Sequence, residues 1–349
     1  MNILNCMAWR GKAGTERAFI AFAKALTESG FVVTNLVDEG FPFISELTAY
    51  SEKIVTGSID QSRQDWSADT FCSLVSEIIN KNRIEIVLSH QQPHAQLISA
   101  ICFEFLPHVS VVHNEVAMDY YLGCDRIIVL SDQMRKNFVN AGFESKRIYK
   151  LFLPMAPKAP FQLKVPHKPI SIGFMGRLEK QKAPDLLLLL LVELQKREIS
   201  FKCQIGGEGS MLGELEAFAQ NHSIKNLSFL GYVDDHSAFY EKVDILFLMS
   251  RFEPFGLVVL EAFAHSTPVL ATRVAGPMEI INHMQNGILV NNWEEAVNEV
   301  RMLVDNPSVL GKLAKEGYRT LGQFSELNFA QQLELLLRVT RAKWGGNVV

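Results

Sequence analysis

Apolar residues along this chain form short runs separated by stretches of helical spacing, and the two patterns alternate. Ile3–Met7 is a short apolar run, Arg10-Gly11-Lys12-Ala13-Gly14 makes a flexible turn, and Thr15 is placed to cap a helix after it. Ala18, Phe19, Phe22, Ala23 and Leu26 then recur at helical intervals. Gly30 stops that helix, and Phe31-Val32-Val33-Thr34 reads as a strand. Ile84–Leu88, Val109–Val112 and Ile127–Leu130 repeat the strand pattern, each followed by a helical segment. Such alternation predicts parallel βαβ units with helices on both faces of a sheet. Between Leu151 and Pro169 the periodicity lapses, and Pro154, Pro157, Pro160, Pro166 and Pro169 suit a semi-rigid linker. It restarts with Ile170–Met175, a helix from Pro184, Phe201–Ile205, a helix from Ser210, Leu227–Leu230, Ile245–Met249, a helix from Gly256 and Val269–Ala271; from Trp293 the pattern is helical. The expected fold is α/β, with two doubly wound Rossmann-like domains facing a cleft. The expected boundaries are 1–155, a linker at 156–169, 170–322, and a C-terminal helix at 323–349 packing back toward the first domain. Ligands of such sheets bind beyond the carboxyl ends of the strands.

Length agrees with two domains, because 349 residues at 48% hydrophobic content exceed what one compact core organises. The balance of 34 basic and 38 acidic side chains, net −4, excludes the basic excess of a nucleic-acid binder. The five cysteines are scattered without a C-x-x-C pair, which excludes a disulfide framework and the common zinc spacings and fits a reducing compartment. The apolar start is broken at Arg10 and Lys12 and has no positive n-region, so it fails as a signal peptide. Leu186–Val192, closed by Glu193, falls far short of the ~20 residues of a membrane span. A cytoplasmic protein is expected. A peripheral contact with the inner face of the membrane stays open, although no Lys/Arg-rich amphipathic helix argues for one.

The most informative stretch is Ser250-Arg251-Phe252-Glu253-Pro254-Phe255-Gly256-Leu257-Val258-Val259-Leu260-Glu261-Ala262. Two glutamates eight apart are common by chance, and their context gives them weight. A strand ends at Met249, a loop carries Glu253, and Phe255-Gly256 open a helix that bears Glu261. The free N–H groups of that helix start form an anion site. Eight residues of helix rise span about 12 Å, beyond the ~5–9.5 Å of a glycoside hydrolase carboxyl pair. The spacing suits two acceptors gripping opposite ends of an extended ligand with phosphates between.

Followed by Ala262-Phe263-Ala264-His265-Ser266-Thr267-Pro268 and Gly276-Pro277-Met278-Glu279, this stretch resembles the donor signature of retaining GT-B glycosyltransferases, closest to glycosyltransferase family 4. The resemblance implies that Glu253 contacts donor-sugar hydroxyls and that Glu261 holds the ribose. Phe255, Gly256 and Leu257 fall with them on the donor side. The family usually has glycine where Ser266 stands and another where Ala275 precedes Gly276.

A second block, Gly173-Phe174-Met175-Gly176-Arg177-Leu178-Glu179-Lys180-Gln181-Lys182-Ala183-Pro184, brings a glycine turn and two cations to a strand end. Cations at the glycosidic oxygen stabilise a leaving diphosphate. By resemblance this falls to Arg177 and Lys182, with Gly176 beside the donor. Gly206-Gly207-Glu208-Gly209 lacks the third glycine of a dinucleotide fingerprint but resembles the family's turn near the nucleotide, and Gly231-Tyr232-Val233 its base-contacting strand end; Gly207 and Val233 join the donor set. Asp234-Asp235 tempt a metal assignment. No D-x-D triplet occurs, so no metal is expected and Asp235 reads as a helix cap.

In the first domain the resemblance puts Gly14 near the donor phosphate, Gly11 and Thr15 on the acceptor side, and His113, just beyond a strand, near the anomeric centre. His90 and His94 stand at another strand end and are assigned toward the acceptor. The implied activity is metal-independent, retaining transfer of a hexosyl unit from a nucleoside-diphosphate sugar, as substrate, to a hydroxyl on a glycan, glycolipid or other acceptor. Envelope glycans such as lipopolysaccharide core are the expected products, and no cofactor or nucleic acid partner is expected. The alternatives are a non-hydrolysing sugar-nucleotide epimerase on the same fold and a non-catalytic nucleotide-sugar-binding subunit.

Overall fold

The computed structural model describes residues 1–11, 14–51, 53–114, 117–157 and 159–344. Lys12 and Ala13 of the first turn, Glu115, Lys158 of the proline-rich stretch and residues 345–349 of the C-terminal segment lie outside the described residues. Two compact units form, one from Met1–Pro154 with Ser325–Val349 and the other from Met155–Phe324.

The first unit holds a seven-stranded parallel sheet built from β1 (Asn2–Met7), β2 (Val32–Asp38), β3 (Lys53–Gly57), β4 (Ile86–Ser89), β5 (His108–Val111), β6 (Arg126–Val129) and β7 (Ile148–Lys150). Their order is β3-β2-β1-β4-β5-β6-β7. The inner strands are apolar on both sides because helices cover both faces. Leu4, Leu36 and Val87 pack with Phe71 and Val75 of one helix, while Met7 and Val37 pack with Phe19 and Ile20 of another. The final helix, Glu326–Trp344, belongs to this unit. Its Phe329 ring meets Phe22 of the helix Gly14–Glu28 edge-on at 4.9 Å, and Glu326 accepts from Lys24 at 2.6 Å.

The second unit holds a six-stranded parallel sheet from β8 (Ile170–Met175), β9 (Phe201–Gly206), β10 (Leu227–Gly231), β11 (Ile245–Leu248), β12 (Val269–Thr272) and β13 (Ile288–Val290), in the order β10-β9-β8-β11-β12-β13. Leucines 187, 190, 191 and 194, spaced along the helix Pro184–Lys196, bury against Ile172, Phe174 and Ile205 of the sheet. Both strand orders reverse direction once, between β1 and β4 and between β8 and β11. In a doubly wound sheet that reversal opens a crevice where the chain leaves the strand ends.

Three strands escaped the sequence pattern: β3, β7 and β13. All three are sheet edges. An edge strand is short or half-polar, so its apolar period is weak. Thr15 is not a helix cap, since the helix already begins at Gly14 and Thr15 sits in its first turn. The helix expected from Ser210 begins at Leu212. Strand β2 runs on to Asp38, past Asn35, because both polar side chains are buried and hydrogen-bonded.

Candidate active site

In the second unit the segments after β8 and β11 meet at the switch point. Gly176, at φ +155°, turns the chain out of β8, and its N–H donates to Gly206 O at 3.0 Å. Gly207, at φ +133°, packs against it so closely that a Cβ there would lie 1.9 Å from Gly176 O. That approach explains the paired glycines, which no other residue could replace without moving the turn. Lys182 follows, and its Nζ donates to the Glu253 carboxylate across 71 residues of chain. The pair is largely enclosed, with side-chain exposures of 18% and 7%. Ser250 Oγ also reaches Glu253 at 3.5 Å. Arg251 stitches the two segments together. It bonds both oxygens of Asp185 at 2.8 and 2.6 Å and the carbonyl of Lys180 at 3.0 Å. Arg177 stays exposed and reaches Gln181 Oε1 at 3.3 Å.

Gly256, at φ +94°, caps the helix Leu257–Ala264 with no side-chain hydrogen bond; the Val259 N–H donates to Gly256 O at 2.8 Å, which leaves the amides of Leu257 and Val258 for a ligand. Phe255 is buried, and Gly276, whose Cβ would lie 2.2 Å from Phe255 O, donates its N–H to Glu253 O at 2.8 Å. A backbone contact therefore anchors the Glu253 loop. Glu261 accepts from Tyr240 Oη at 3.4 Å and pairs with His236 Nδ1. Burial, reinforced by that carboxylate, pushes the Tyr240 phenol up, so it remains a proton donor to Glu261. The sequence pattern missed His236, Tyr240, Arg251 and Asp185. Only a helix-start position for His236 beside Asp235, whose side chain caps through Ala238 N at 2.9 Å, could have raised it. Val233 packs against Gly206, where a Cβ would sit 2.8 Å from its Cγ2.

In the first unit the residues after β1, β4 and β5 come together. His90 is 2% exposed, so the side chain assigned toward an acceptor lies beneath the surface. Its Nε2 faces Asn5 Oδ1 at 2.9 Å and its Nδ1 faces His113 Nε2 at 3.2 Å. Burial and the neighbouring His113 ring push the His90 imidazole well below its ordinary value, and burial takes His113 down to about 3. Both are neutral at neutral pH. His94 is also buried, its Nε2 on Ile59 O at 2.8 Å, away from His90 and His113. Gly11 is exposed, 2.7 Å from the Glu16 carboxylate if it carried a Cβ, and Gly14 opens the helix. No group of three or more His, Cys, Asp or Glu among the described residues is placed to hold a metal ion. No helix among them is long and apolar enough to cross a membrane.

Residues 155–320, nearly the whole second unit, match the family described as Glycosyl transferases group 1. That unit is similar to this family over nearly its whole length. The switch-point geometry of Lys182, Glu253, Gly256 and Glu261 lies within it. The chain is 25% identical over 85% of its length to an uncharacterized glycosyltransferase of Haemophilus influenzae, covering 88% of that protein. The lipopolysaccharide core biosynthesis glycosyltransferase LpsE of Rhizobium meliloti is 31% identical over 43% of this chain and 44% of its own. Curated relatives at 30–38% identity are matched over less than half of their length, 31%, 43% and 44%. Anabaena HepE, solved with UDP and glucose, superposes on 97% of the chain with a TM-score of 0.81 at 18% identity, over 100% of its own length. The two-domain α/β architecture is therefore the GT-B fold.

Proposed function

We propose that the chain is a retaining glycosyltransferase that moves a hexosyl unit from a nucleoside-diphosphate sugar to a hydroxyl acceptor without a metal ion. The observation that carries this reading is the convergence of Lys182, Glu253 and the open helix start after Gly256 at one switch point. Cations and amides there suit a diphosphate, and a buried carboxylate suits sugar hydroxyls. Names among the relatives, a lipopolysaccharide core enzyme and a protein solved with UDP and glucose, support a sugar-nucleotide donor and an envelope glycan product. The place of action in this reading is the cytoplasmic side of the cell envelope.

Chemically, the acceptor oxygen bonds to the anomeric carbon on the face that the diphosphate leaves. The bond from that carbon to the phosphate oxygen breaks, and its electron pair stays with the phosphate. The acceptor proton passes to the same phosphate oxygen. Positive charge gathers at the sugar and negative charge on the diphosphate, so Arg177 and Lys182 bind the transition state more strongly than the ground state. The incoming phosphates compete with Glu253 for Lys182, which frees that carboxylate to accept from sugar hydroxyls. Glu261 takes the ribose, and Gly176, Gly207, Val233, Phe255 and Leu257 shape the donor's bed. In the first unit, Gly14 serves the donor phosphate, His113 the sugar, and Gly11 and Thr15 the acceptor side.

The test supplies UDP-, GDP- and ADP-sugars with an envelope glycolipid acceptor and follows released nucleoside diphosphate. Release should require acceptor, persist in excess EDTA, and give a product whose anomeric proton coupling matches the donor. Loss in EDTA with return on Mn²⁺ overturns metal independence. An epimerised donor formed without acceptor moves the chain to the epimerase class, and donor binding without turnover makes it a binding subunit.

A further inference from the structure

Four side chains, two on neighbouring strands and two just beyond the ends of the next two, form one line across the first sheet. Asn35 on β2 and Asn5 on β1 are partners in the parallel register, and Asn5 Nδ2 donates to Asn35 Oδ1 at 2.7 Å. Asn5 Oδ1 then faces His90 Nε2 at 2.9 Å, and His90 Nδ1 faces His113 Nε2 at 3.2 Å. Asn5, Asn35 and His90 are almost wholly enclosed. Phe19 and Phe22 stand edge-on to the His90 ring at 5.2 and 4.8 Å and close it off from water.

Hydrogen-bond polarity propagates along this line. An amide has one accepting and one donating end, so once Asn5 Nδ2 donates to Asn35, its Oδ1 must accept. His90 therefore carries its proton on Nε2. A neutral ring has one donor and one acceptor, which leaves His90 Nδ1 to accept, so His113 must donate from Nε2. His113 Nδ1 is then an unprotonated acceptor, and it has no partner among the described residues. We infer that Asn5 and His90 are positioning residues that hold His113 as its Nε2–H tautomer, with Nδ1 presented to a substrate hydroxyl. The assignment of that hydroxyl to a sugar rests on the proposed glycosyl transfer; the tautomer does not. The line also gives the buried His90 a purpose that contact with an acceptor does not supply.

The experiment uses the full chain labelled with ¹⁵N-histidine and long-range ¹H–¹⁵N correlation at pH 8. His113→Ala assigns the His113 signals among the nine histidines. Wild type should show His113 with Nε2 protonated and Nδ1 bare. Asn35→Asp, which can only accept from Asn5, should keep that pattern. Asn5→Asp should reverse it: the carboxylate makes His90 doubly protonated, His90 Nδ1–H donates, and the proton of His113 moves to Nδ1. Two carboxylates buried a few ångströms apart thus have opposite expected signatures, which a packing defect would not produce. With donor and acceptor, Asn5→Asp should lower kcat by about 10–100-fold, the usual loss when a histidine's orienting partner is changed. An Nδ1–H tautomer at His113 in wild type, or its appearance in Asn35→Asp, overturns the relay even if Asn5→Asp fails to fold. A reversed tautomer with unchanged kcat overturns its role in turnover while leaving the transferase reading intact. Absence of transfer from every donor, with the wild-type tautomer as expected, removes the transferase reading and leaves the relay standing.

Discussion

Lys182 and Glu253 hold one another at the switch point, so a substitution at either changes two things, the charge offered to substrate and the partner left behind. Lys182→Ala should lower kcat by about 10²–10³, the loss when one preorganised charge-stabilising donor is removed. It also strands a nearly enclosed carboxylate, a cost of about 3–5 kcal/mol for a fully buried pair and less here, where the lysine is 18% exposed. Adding Glu253→Gln should therefore restore much of the lost Tm and none of the lost kcat. Calorimetry beside steady-state kinetics separates the two, and a kcat within twofold of wild type would remove Lys182 from the diphosphate clamp. Glu261→Gln makes the complementary case. A group that grips the ribose equally in ground and transition states should raise the donor KM and leave kcat nearly unchanged. A fall in kcat at saturating donor would place Glu261 nearer the chemistry than the ribose.

Elements meet at this site through backbone as well as side chains. The turn after β9 lies against the turn after β8, with the amide of Gly176 on Gly206 O and the amide of Gly207 on Gly231 O at 2.7 Å. Gly207→Ala would push a methyl into the Gly176 carbonyl and force alanine into positive φ. The backbone strain alone costs about 1–3 kcal/mol. A drop in Tm should accompany weaker nucleoside-diphosphate binding in calorimetric titration, because the displaced turn precedes Arg177 and Lys182. Gly213, in a helix with nothing within 4 Å of a Cβ, provides the control: Gly213→Ala should leave both unchanged or raise Tm slightly. If the two variants behave alike, the close approach of the two turns does not position the cations.

At the scale of the molecule, the two units carry different acid sensitivity. His90, His94, His108 and His113 all lie in the first unit, and burial lowers each, His94 to about 4 and His108 and His113 to about 3. An unfolded chain protonates these rings near pH 6.5 while the folded unit does not, so their contribution to stability is complete above that pH and is lost on acidification toward 3–4. Each proton taken up on unfolding contributes about 1.4 kcal/mol per pH unit. Hydrogen exchange corrected for intrinsic rates should show residues 1–154 losing protection between pH 7 and 5 ahead of 155–324; simultaneous loss would count against the buried rings as its cause. Much of this molecule was determined by sequence alone. Two runs of βα alternation specified two parallel α/β units, because period and turn chemistry are local properties. Tertiary structure decided the rest. It formed the edge strands, paired Lys182 with Glu253 across 71 residues, gave Glu261 its His236 and Tyr240, and aligned Asn35, Asn5, His90 and His113. Those partners lie far apart along the chain, and only the order of strands in each sheet makes them neighbours.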